Sequence, residues 1–194
     1  VQVGFGGVIS FTPRVDDIVE RFGVEGPDGV KLLVMGTVRS GGSGCLCPEN
    51  AFLRALMSHL LLGRRDVVVM DMVAGLEHLG RGTARGVDLM LCVVEPSVKA
   101  LETARRVLEL SRDIGVRNVA AVGNKILSES DVGLIEEALR EVGMDLLTTI
   151  PFDKAVIEAD RLGRALLDHA PESPAVRSIR RLKDTILARY FPQG

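Results

Sequence analysis

The 194 residues are 46% hydrophobic, which suits one α/β domain with a substantial core better than two domains. With 24 Lys and Arg against 26 Asp and Glu, a net charge of −2 and no basic tract, the chain gives neither nucleic acid nor an anionic membrane an electrostatic foothold. No apolar run reaches membrane-spanning length, neither end reads as a signal peptide, and three cysteines disfavour a disulfide framework, so a cytoplasmic protein is expected.

Residues 1–30 are glycine-rich with weak periodicity and read as an irregular lead-in. From Lys31 onward, short apolar runs bounded by glycine, proline or charge predict strands over 31–37, 66–72, 88–95, 118–124 and 145–151. Apolar residues at helical spacing, each series followed by glycine, predict helices within 49–63, 97–115 and 129–143, and the last stretch from Pro171 predicts a closing amphipathic helix. Strand–helix alternation of this kind builds a mostly parallel sheet with helices on both faces. No repeat or linker divides the chain, so residues 1–194 read as a single domain. Ligands of such sheets bind beyond the carboxyl ends of the strands, which directs attention to the loops there.

In chain order, the first of these loops contains "GGSGCLCPEN", residues 41–50. Two thiols one residue apart can turn toward one point, and thiolates favour Zn²⁺, Ni²⁺ or Cu⁺. Two ligands do not complete a coordination shell, and Cys92 lies inside the apolar run "DLMLCVVE". A symmetric dimer that contributes Cys45 and Cys47 from each chain is the economical completion. A redox-active pair and two incidental cysteines are the competing readings. Pro48 and Glu49 open the following helix, whose N-terminus favours thiolates.

Asp71 closes an apolar run with Gly75 four residues on, the pattern of the second nucleotide motif in P-loop enzymes, where the carboxylate holds Mg²⁺ directly or through water. A cap for the next helix explains the same aspartate locally. In "VGNK", Asn124 carries an amide that both donates to and accepts from a purine edge, with Lys125 beside it; a Gly-Asn turn is the plainer alternative. Pro151, Phe152 and Asp153 form either one wall of a purine pocket or a strand-to-helix turn. The histidines at 59, 78 and 169 are too scattered to define a catalytic set.

Together, "GGSGCLCPENAFLRAL", "VVVMDMVAGLEHLGRGTA" and "AVGNKI" resemble the CooC-type maturation factors of carbon monoxide dehydrogenase, within the MinD- and ParA-like branch of P-loop ATPases. The resemblance runs from about Val15 to the C-terminus. It implies a MinD-like nucleotide-binding domain and an ATP-dependent homodimer that helps insert nickel into the dehydrogenase. ATP or ADP with Mg²⁺, and nickel or zinc, are the implied ligands. The resemblance further implies a metal on Cys45 and Cys47 at the dimer interface, Asp71 at the Mg²⁺ side of the phosphates and Gly75 in a loop sensing the γ-phosphate. It places Asn124 at the adenine, with Pro151 and its neighbours beside the base.

Two departures stand out. No Gly-Lys-Ser or Gly-Lys-Thr occurs, and Val73 replaces an acid common in the family. The backbone donors and lysine of the phosphate loop carry most of the phosphate binding. The expectation is therefore an N-terminally incomplete domain, with ATP hydrolysis a property of the intact protein and this chain inactive alone. The alternative is a non-hydrolysing metal-binding dimer or scaffold derived from the same fold.

Overall fold

The computed structural model describes residues 18–34, 55–57, 67–72 and 84–192. Ile18–Phe22 form a short helix, α1, and Val24–Glu25 (β1) pair antiparallel with Lys31–Leu32 (β2). A 3₁₀ turn over Pro27–Gly29 joins them, with Asp28 at φ 57° and Gly29 at φ 75°. The end of the expected irregular lead-in is therefore ordered, because Pro-Asp-Gly supplies a preset φ followed by two residues tolerant of positive φ. Of the expected strand 31–37, residues 31–34 are described, and among them Lys31 and Leu32 pair, antiparallel and outside the main sheet.

The main sheet contains Met90–Val94 (β3), Val119–Ile126 (β4) and Asp145–Pro151 (β5), parallel throughout and in the order β3-β4-β5. Helices α2 (Val98–Asp113) and α3 (Glu129–Val142) connect them. Sequence order matches spatial order, so each crossover is a βαβ unit between neighbouring strands. Both helices lie on one face: Ala104 and Leu108 of α2 and Ile135 and Leu139 of α3 are buried with Cys92, Val94 and Ala121. Ala120 and Val122, which alternate with Ala121, are equally buried, so the middle of the sheet is covered on both sides.

Local chemistry fixes where these helices begin and end. Ser97 accepts from the Ala100 amide at the start of α2. Ser128 and Asp131 form a reciprocal capping box at the start of α3, and Gly143 ends it at φ 71°. Such caps are each worth about 1 kcal/mol.

After β5 come two short helices, α4 (Lys154–Arg161) and α5 (Leu166–His169), and then α6 (Pro174–Tyr190), which packs along β5. Arg189, in the last turn of α6, pairs with Asp145 at the start of β5. The sequence does not announce α5, since a single helical turn is too short to display a period.

Residues 55–57 are helical, and Leu56 and Met57 are buried, in keeping with the predicted helix at 49–63. The expected strand 66–72 is not reproduced: residues 67–72 join no ladder of the described residues, and Val67 and Val69 are exposed. An apolar run becomes a strand only where a partner supplies the other half of its hydrogen bonds. Among the described residues, no helix is long and apolar enough to cross a membrane.

Candidate functional site

The parallel register brings the carboxyl ends of the three strands together, through the pairs Val94–Gly123 and Gly123–Thr149. Glu95, Asn124, Lys125, Pro151, Phe152 and Asp153 therefore share the edge where open sheets bind ligands.

The register breaks at this edge. Gly123 pairs with Thr149 and Ile126 with Pro151, so Asn124 and Lys125 together face Ile150 alone. The extra residue is a β-bulge, a device that re-aims side chains. Its effect shows in the parity of the strand. In a regular strand Gly123 and Ile126 would point to opposite faces, yet Ile126 packs against the same core cluster as Ala121, and a Cβ built on Gly123 would lie 3.5 Å from Ile126 Cδ1.

Lys125 makes the bulge, with φ at 57° in the left-handed region. That conformation costs a residue other than glycine about 1–2 kcal/mol. Lys125 Nζ lies 2.6 Å from Glu95 Oε1, which joins the ends of β3 and β4. Both side chains are about half exposed, and such a pair contributes roughly 0–1 kcal/mol, too little to offset the strain alone. The return of Ile126 to the core and the bond from the Phe152 amide to the Ile126 carbonyl, at 2.9 Å, supply further support.

The two asparagines of this region differ in what they bond. Asn118 precedes β4 and donates from Nδ2 to the Asp88 carbonyl at 2.9 Å. The Asn124 carboxamide is half-buried and has no hydrogen-bond partner among the described residues.

Asp153 is fully engaged. Its Oδ1 accepts from the Ala155 amide at 3.0 Å, capping α4, and its Oδ2 accepts from the Ala175 amide at 3.1 Å in the first turn of α6. The Ala175 amide foremost, with the Ala155 amide, the Ser173 hydroxyl and the Arg177 charge, holds the carboxyl below its ordinary range despite opposing desolvation. Pro151 lines a shallow cleft with Ile126 and Thr149 from the sheet and Arg177, Ser178 and Arg181 from α6. Phe152 is exposed beside it.

The remaining expected residues are not brought to this edge by any described contact. Asp71 is exposed, and its side chain bonds to no described residue. Cys45, Cys47 and Gly75 lie outside the described residues. Cys92 is buried in β3 as expected, and burial pushes its thiol up to about 11, which keeps it protonated and a poor ligand at neutral pH. No three His, Cys, Asp or Glu side chains cluster as metal ligands among the described residues. Glu95 was not singled out from sequence; an acid at the carboxyl end of a predicted strand is the signal that would have found it.

The chain is 47% identical over 159 residues to the carbon monoxide dehydrogenase accessory protein CooC of Rhodospirillum rubrum, covering 82% of this chain and 59% of that protein. It is 41% identical to an uncharacterised ATP-binding protein of Methanocaldococcus jannaschii, covering 84% of this chain and 63% of that one. The chain thus spans about six-tenths of the length of these relatives. The MinD cell division protein of Aquifex aeolicus superposes with a TM-score of 0.49 at 21% identity, covering 58% of this chain and 49% of its own. No protein-family model matches. The resemblance drawn from the cysteine, Asp71 and Asn124 segments is thus found over most of the chain.

Proposed function

We propose, from the chain's relationship to the CooC-type accessory proteins, that the intact protein is an ATP-dependent accessory factor delivering nickel to carbon monoxide dehydrogenase. The observation that carries this reading is the 47% identity to such a protein across 159 residues, in a chain that also contains the Cys-x-Cys pair. The ATP-binding description of the Methanocaldococcus jannaschii relative supports the nucleotide.

In this reading Cys45 and Cys47 from each of two protomers hold Ni²⁺ as cargo, and Zn²⁺ competes for the same thiolates. Asp71 holds Mg²⁺ at the phosphates, and the loop at Gly75 follows the γ-phosphate. Asn124 reads the adenine, with Lys125, Pro151 and Phe152 beside it, while Asp153 secures the turn and helices behind that wall. Closure of the protomers around the nucleotide brings the two cysteine loops together, and their separation after hydrolysis releases the ion. Because only the dimer offers four thiolates, metal affinity and dimerisation are thermodynamically linked.

The test is metal stoichiometry of the intact protein with and without ATP. One nickel ion per two chains is expected, lost in both Cys45→Ser and Cys47→Ser. Full stoichiometry in those variants would sink the reading.

A further inference from the structure

We draw no further inference here: the strongest candidate, the apolar surface that Phe22, Val24, Val30, Leu32 and Val34 expose on and beside the β1–β2 hairpin, carries nothing because nothing among the described residues shows what covers it.

Discussion

At the end of β5, Asp153 has both carboxylate oxygens bonded to backbone amides of helix starts, whereas at the neighbouring end of β4 the half-buried Asn124 amide has no described partner and Lys125 holds a left-handed backbone. One edge of one sheet thus contains a corner whose polar group the fold consumes and a strained one whose amide is open to solvent. The contrast separates two kinds of polar residue that look alike in sequence. A side chain whose bonding capacity is consumed by the fold is part of the scaffold, and one the fold leaves open bonds water.

The comparison breaks most readily at Asp153. Asp153→Ala removes the acceptor for two helix starts and should cost about 2–3 kcal/mol, read as a lower midpoint in urea denaturation. A neutral result would remove Asp153 from the scaffold. Gly123→Val tests the close packing between the two strands. Its first added atom would lie 3.2 Å from Thr149 Cγ2 and 3.4 Å from Ile135 Cδ1. A loss of about 1–2 kcal/mol is expected from overpacking.

Acid titration sharpens the same contrast with a smaller effect. The carboxyl of Asp153 is depressed in the folded state, chiefly by the Ala175 amide, so its contribution is present above the unfolded carboxylate value of about 3.9. That contribution should disappear as pH falls through the lower folded value. Stability measured from pH 6 down to about pH 2 should fall less steeply in Asp153→Asn than in the parent protein. The smallest stability effect belongs to the other corner. Glu95→Gln breaks an exposed pair and should change stability by no more than about 0.5 kcal/mol. A large loss of stability would make Glu95 another scaffold residue.

Periodicity and punctuation were enough to locate β3, β4, β5, α2, α3 and α6, because each is long enough to display its repeat and is bounded by a serine cap, a glycine or a proline. They also placed Asn124, Pro151 and Asp153 at one edge of the sheet, since parallel strands joined by helices gather their carboxyl ends on one side. The paired thiols and the family resemblance came from residue identity alone, and the similarity to CooC covers 82% of the chain.

Other features depended on partners distant in sequence. The run at 66–72 reads as a strand by composition, but residues 67–72 have no ladder among the described residues, and a single segment cannot specify its own pairing. Nothing in "IPFD" reveals that Asp153 reaches an amide 22 residues later, since that bond requires α6 to begin beside the end of β5. Nothing in "VGNK" reveals a left-handed lysine either. The sequence by itself determined the alternation of strands and helices, the thiol pair and the family resemblance, because these are written in local spacing and residue type. Only the tertiary structure decided which polar groups the fold consumes and which it leaves open, because satisfying a hydrogen bond or sustaining a strained φ depends on neighbours that three-dimensional packing supplies.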